Sequence, residues 1–138
     1  MNPIEAASET RVAVSSELDI VTARMRARAL AAEIGFAPAS ATMVATAISE
    51  LARNILLYAD RGEVLLSRLD LGERHGLAVV ARDEGPGIPD ISRAMQDGYS
   101  TSGRLGLGLP GVRRLMDEFE ICSRPGDGTV ITVKKWSE

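Results

Sequence analysis

The sequence contains one cysteine, Cys122, and one histidine, His75. An internal disulfide is therefore excluded, and a His/Cys metal cluster lacks ligands; a reducing, cytoplasmic setting is expected. There is no surplus of positive charge either. Sixteen Lys and Arg stand against nineteen Asp and Glu, a net −3, which argues against a nucleic-acid partner. No run approaches the roughly 18 consecutive apolar residues of a membrane span, and the opening MNPIEAASE has neither the charged nor the apolar region of a signal peptide. Neither membrane insertion nor export is expected. What remains is ordinary for a globular chain, 45% apolar and 25% charged over 138 residues, and residues 1–138 are expected to form one domain around one core.

Periodicity divides the chain into elements. Val12 and Val14 alternate with polar neighbours in Thr10 to Ser15, the pattern of a half-buried strand. Leu18 to Ile34 carries Ile20, Met25, Ala29 and Leu30 among arginines and stops at Gly35, which predicts a moderately amphipathic helix with a glycine cap. Val44, Ile48, Leu51, Ile55 and Tyr58 recur at three- and four-residue steps through Ser40 to Ala59, the stripe of a core-facing helix. Gly62 to Leu71 and Leu77 to Asp83 are β-rich and joined by a short polar connection, so a hairpin is expected. Glycines, with Pro86 and Pro89, crowd residues 84–108, which predicts a long loop with one helical turn near Ile91 to Gln96. Leu109 to Phe119 returns to helical spacing. Glu120 to Ser123 and Thr129 to Trp136 then close the chain as strands around Pro125-Gly126-Asp127-Gly128. Hairpin-linked strands with helices grouped between them predict an α+β, two-layer sandwich: a mixed, mostly antiparallel sheet with helices on one face.

Three places could carry chemistry. Glu50 and Asn54, four residues apart, share a helix face at the rim of the apolar stripe. That rim suits a pocket wall, although a polar pair on a helix surface would look the same. Asp83-Glu84-Gly85-Pro86-Gly87 follows a buried-looking strand. A carboxylate there can accept a directed hydrogen bond while the two glycines let a flat ligand lie against backbone, and an adenine amino group would fit; a simple strand-ending turn is the plainer alternative. Gly103-Arg104-Leu105-Gly106-Leu107-Gly108 opens a helix, where backbone N–H groups and the helix dipole favour phosphate. It could equally be a surface loop. Gly106 to Gly111 spells G-x-G-x-x-G, but no strand precedes it and no acidic residue follows at the required distance, so it is not read as a dinucleotide fingerprint; nor is there a P-loop.

The order of these signals is more specific than any one of them. A helical Glu-x-x-x-Asn, an Asp-x-Gly-x-Gly after a strand, a glycine-rich stretch opening a helix, and Gly128-Thr129 in a late strand resemble the GHKL ATPase superfamily with its Bergerat fold, over nearly the whole chain. More narrowly, Ile48-Ser-Glu-Leu-Ala-Arg-Asn-Ile55, Asp83-Glu-Gly-Pro-Gly-Ile-Pro89 and Ser100 to Phe119 are similar to the anti-sigma-factor type serine/threonine kinases, and most to the stressosome switch kinases. The resemblance implies that Asn54 holds Mg²⁺ on the phosphates of ATP and that Glu50 is the general base. It implies that Asp83 receives the adenine amino group, with Gly85 and Gly87 beside the base and Thr129 in the surrounding polar network. It further implies that residues 84–108 form an ATP lid in which Gly106, Leu107 and Gly108 wrap the triphosphate and Arg104 reaches the γ-phosphate. Glu84 departs from the pattern, standing where relatives often carry Asn.

The expected function, on that resemblance, is an ATP- and Mg²⁺-dependent protein kinase. It would phosphorylate Ser or Thr on a STAS-domain stressosome partner and, once released, bind and activate a PP2C-type phosphatase. The alternatives are an anti-sigma factor kinase that binds a sigma factor directly, and a nucleotide-gated binding module that transfers no phosphate. A pure binder has no need of Glu50.

Overall fold

A computed structural model describes residues 9–88, 91, 95 and 108–137. In chain order the elements are β1 (Thr10–Val14), α1 (Glu17–Ile34), α2 (Pro38–Ala59), β2 (Gly62–Leu71), β3 (Arg74–Asp83), α3 (Gly108–Leu115), β4 (Glu118–Arg124) and β5 (Gly128–Trp136). The five strands form one sheet in the order β1-β2-β3-β5-β4. The α+β architecture is as expected, and among the described residues every strand pairing is antiparallel, where a mixed, mostly antiparallel sheet was expected. The connections account for it: α1 and α2 together return the chain from β1 to pair antiparallel with β2, and the β2–β3 and β4–β5 connections are hairpins.

Local chemistry explains the helix ends. The Asp19 carboxylate accepts the N–H groups of Ser15 at 2.8 Å and Ser16 at 3.1 Å, satisfying donors that the start of α1 leaves unpaired. Those bonds, the Ser15 backbone first, hold the Asp19 carboxyl below its ordinary pKa. Gly35 ends α1 at φ +108°, its N–H directed at the carbonyls of Ala31 and Ala32, a conformation that costs glycine little. The buried stripe of α1 differs from the expected one. Ile20, Ala23, Ala27, Ala31 and Ile34 face inward, while Met25 is 65% exposed and Ala29 also faces solvent. Alanines allow α1 to approach α2 closely, and the larger side chains are left outside.

Helix α2 is the spine of the core. Val44, Ile48 and Leu51 are fully buried against Val64, Leu66, Leu77, Val79 and Val133 from the sheet. Burying a side chain of this size contributes about 1.5–3 kcal/mol. Helix α3 packs on α2 and is shorter than expected. Its last turn closes with Met116 N–H on Val112 O at 3.1 Å; Asp117 N–H then donates to Lys134 O at 2.9 Å, so the edge of β5 takes Glu118 and Phe119 into β4. Between β3 and α3, Met95 N–H donates to Ile91 O at 3.0 Å, in keeping with the expected helical turn there; residues 92–94 and 96 lie outside the described residues.

Candidate functional site

Two strands and one helix converge on a recess. Asp83 ends β3 and is paired in register with Thr129 near the start of β5, which places both side chains beside α2. Asn54, from the C-terminal part of α2, lines the same recess. Leu51, Ile55, Ala81 and Ile131 supply the apolar surface of the recess, and Asn54, Asp83 and Thr129 its polar groups. An apolar slot with a few converging polar groups is the usual form of a small-molecule site.

The polar groups differ in how fully they are used. Asp83 Oδ1 accepts Gly85 N–H at 2.9 Å, and the Thr129 backbone N–H donates to the same carboxylate. Burial nevertheless pushes the Asp83 carboxyl above its ordinary pKa, outweighing those two donors. Thr129 is 5% exposed, and its hydroxyl lies 2.8 Å from Ser123 Oγ on the neighbouring β4. Ser123 also accepts Ile88 N–H at 2.8 Å. By contrast, the buried Nδ2 of Asn54 has no hydrogen-bond partner. Nitrogen and oxygen of such an amide are assigned from their surroundings, so one end of a buried amide is left for a ligand to use.

Glu50 sits one helical turn from Asn54, outside the recess and toward α3. Its Oε1 accepts Arg53 at 2.7 Å and its Oε2 accepts Gly108 N–H at 3.2 Å, so the carboxylate bridges α2 to the first residue of α3. Four lone-pair directions on a carboxylate leave Glu50 further accepting capacity.

The two glycines after Asp83 are explained by protein rather than by open space. A Cβ on Gly85 would meet Ala59 Cβ at 2.5 Å, and one on Gly87, where φ is +83°, would meet Arg124 O at 2.4 Å. They let residues 84–88 press against the end of α2 and the β4–β5 turn. Gly126 N–H adds a 2.7 Å bond to Pro86 O. Of the expected site residues the structure thus brings Asn54, Asp83 and Thr129 together and ties Glu50 to Gly108, with Gly85 and Gly87 shaping the adjoining wall. Arg104, Gly106 and Leu107 lie outside the described residues. Sequence reasoning missed Arg53, Ile88 and Ser123. Ser123 was within reach, because a tight turn at 125–128 pairs it with Thr129 and puts both side chains on one face.

Comparison with known proteins follows the same outline. Residues 13–135 match the histidine kinase-like ATPase domain. The chain belongs to that family. Within it, the chain is 51% identical over 125 residues to the serine/threonine-protein kinase RsbT of Bacillus subtilis strain 168, covering 91% of this chain and 94% of that one. It is 32% identical over 120 residues to an anti-sigma F factor of Bacillus licheniformis, 82% of this chain and 81% of the relative. It is also 32% identical over 99 residues to an anti-sigma F factor of Caldanaerobacter subterraneus, 67% and 68% respectively. Family members share an ATPase domain, and the recess between α2, β3 and β5 is the candidate ATP site of this one. No described helix is long and apolar enough to cross a membrane.

Proposed function

We propose that the protein is a serine/threonine protein kinase that uses Mg²⁺-ATP and acts on a STAS-domain partner. The carrying observation is the division of labour along α2: Asn54 faces Asp83 and Thr129 across the recess, while Glu50 stands one turn further on, at the start of α3. The adenine amino group would donate to Asp83, and the triphosphate would run along α2 toward Gly108. Arg104, Gly106 and Leu107 are proposed to contact it on the strength of their sequence motif. A metal fits the donors present. No group of three His, Cys, Asp or Glu among the described residues could hold an ion, whereas the side-chain carbonyl oxygen of Asn54, which lines the recess, is the kind of single hard ligand that suits Mg²⁺, an ion that keeps most of its shell as water and phosphate oxygen. When bound, Mg²⁺ would offset phosphate charge.

Glu50 then supplies the base. As the partner's Ser or Thr oxygen bonds to the γ-phosphorus and the bond to the β,γ-bridging oxygen breaks, Glu50 takes the hydroxyl proton and ADP leaves. Phosphorylation would weaken the partner's hold on the kinase and free it to bind and activate a PP2C-type phosphatase in the cytoplasm, a partition driven by differential affinity. The 32% identical anti-sigma F factors favour one competing reading, direct sigma-factor binding. Incubation with γ-labelled ATP, Mg²⁺ and a STAS-domain protein should give acid-stable label on Ser or Thr. A STAS protein held by the kinase in Mg²⁺-ATP yet never labelled would favour a nucleotide-gated binding module, and tight capture of a sigma factor without the STAS protein would favour the anti-sigma reading.

A further inference from the structure

Glu50 holds a backbone donor that a phosphate could also use. Its side chain is 15% exposed and stands beside the start of α3, where Oε2 accepts Gly108 N–H at 3.2 Å. Its other oxygen accepts Arg53 at 2.7 Å. The two bonds are unequal. Charge-assisted N–H···O bonds run to about 2.7–2.9 Å, so the Arg53 bond has its full strength and the Gly108 bond is stretched. Arg53 also lies on α2 itself and stays with Glu50, whereas Gly108 belongs to a different element. The first N–H groups of a helix have no partner within it, and its N-terminus favours an anion. Glu50 supplies that anion to α3 from the neighbouring helix.

We infer that Glu50 and ATP compete for the Gly108 N–H: when ATP binds, a phosphate oxygen replaces the carboxylate as its acceptor, and Glu50 is left oriented by Arg53 alone. Two anions accepting one proton would lie within a few ångströms of each other, and with the carboxylate mostly shielded from water their repulsion is little screened. One of them must leave. The phosphate chain carries several charges to the carboxylate's one, and Glu50 keeps its stronger bond to Arg53 either way, so the stretched bond is the one that gives. The exchange has two consequences. It frees Oε2 for the partner's hydroxyl, so the proposed base is turned to its task by the same event that seats the group to be transferred. It also means that a residue serving transfer weakens the binding of ATP.

The inference rests on the recess being the ATP site, and the Gly108 amide separates the two claims. In nitrogen-15 spectra of the protein without nucleotide, Glu50→Ala should shift the Gly108 resonance and speed its hydrogen exchange. With Mg²⁺ and the β,γ-imido analogue of ATP bound, the Gly108 resonances of the parental and Glu50→Ala proteins should converge, since phosphate is then the acceptor in both. Calorimetry should find the analogue bound about three- to tenfold more tightly by Glu50→Ala than by Glu50→Gln, because both remove the charge and only glutamine keeps an oxygen for Gly108. The parental protein gives a further reading that no substitution can spoil. As the analogue is titrated, the Glu50 carboxyl carbon should shift together with the Gly108 amide. A Glu50 carbon that stays in place while the analogue binds, a Gly108 difference that persists with the analogue bound, or equal affinities of the two variants overturns the inference and leaves the ATP site standing. Failure of the parental protein to bind the analogue overturns both.

Discussion

The two ends of the candidate site are built on opposite principles. At the Asp83 end nearly every polar group has a partner: two backbone N–H groups donate to the carboxylate, the Ser123 and Thr129 hydroxyls pair with each other, and Ile88 N–H donates to Ser123. At the Asn54 and Glu50 end one amide group is buried without a partner, and a carboxylate bridges two helices. Recognition of a flat ring profits from groups already fixed, since less freedom is lost on binding. Phosphate transfer requires groups with capacity to spare, able to take a metal or a proton when the substrate arrives. On the proposed function, ring recognition falls to the sheet and chemistry to the helix. It also specifies where substitutions should separate binding from turnover.

The largest expected effect is at the chemical end. Glu50→Gln keeps the shape and an oxygen for Gly108 N–H but removes the proposed base. Transfer to a STAS-domain protein should fall by about 10²–10⁴-fold while calorimetry finds ATP still bound. If ATP binding is lost in parallel, the two ends are one unit and the contrast fails.

At the ring end the signs reverse. Asp83→Asn exchanges an acceptor for an amide that can be misoriented, and ATP affinity should drop by about ten- to a hundredfold. Burial raises the Asp83 pKa in the folded protein, so this group's contribution to stability is fully present below its unfolded pKa and is lost as pH rises through the folded value. At neutral pH the ionised carboxylate is therefore a cost to the fold, and Asp83→Asn should raise the melting temperature of the ligand-free protein as it weakens binding. For the parental protein, ATP affinity should decline on acidification beginning above the ordinary carboxylate range, because protonated Asp83 no longer offers the adenine amino group a charged acceptor. An affinity flat down to pH 4 would separate Asp83 from the nucleotide.

Much of this was legible in the sequence, and the gaps have physical causes. The Glu50/Asn54 pair was readable because helical spacing alone puts it at the rim of the Ile48, Leu51 and Ile55 stripe, and those three are indeed buried. Asp83 was readable because a carboxylate ending an apolar strand stands at an edge of the core. The glycines at 85 and 87 also have a packing reason that the sequence did not show. A glycine that admits a ligand and one that admits Ala59 or Arg124 O look alike in sequence, and only the approach of another element tells them apart. The stripe of α1 was misplaced because alanine gives a weak periodic signal beside Met25. Arg53 was passed over because an arginine on a helix surface is ordinary until its partner is known to be Glu50.

Two glycine substitutions compare the preformed wall with a plain helix cap. Gly87→Ala adds a Cβ 2.4 Å from Arg124 O at φ +83°. It should cost about 1–3 kcal/mol and, by pushing residues 84–88 off the β4–β5 turn, weaken ATP as well. Gly35→Ala meets nothing within 4 Å, and only its φ of +108° is strained. Its cost should be about 1 kcal/mol, with ATP affinity unchanged. Chemical denaturation and calorimetry on the pair check this; equal effects on ATP would mean that the wall beside Asp83 is not preformed for the ring.

The smallest expected effect is on stability at Arg53, and it tests the chemical end from the side. Its 2.7 Å pair with Glu50 is an i,i+3 contact with the arginine side chain 35% exposed, and pairs of this kind contribute only about 0–1 kcal/mol to folding. Arg53→Met should therefore leave the denaturation midpoint nearly unchanged and ATP affinity intact. The Glu50 carboxylate would lose the bond that holds Oε1 and with it a fixed direction, so transfer should slow several-fold at saturating ATP. Arg53→Lys should recover part of the rate, since an ammonium supplies the charge without the planar fork. A rate unchanged in Arg53→Met would show that Gly108 N–H alone orients the carboxylate; a slowed rate at constant affinity places the orientation of Glu50, and not the binding of ATP, under the control of its helical neighbour.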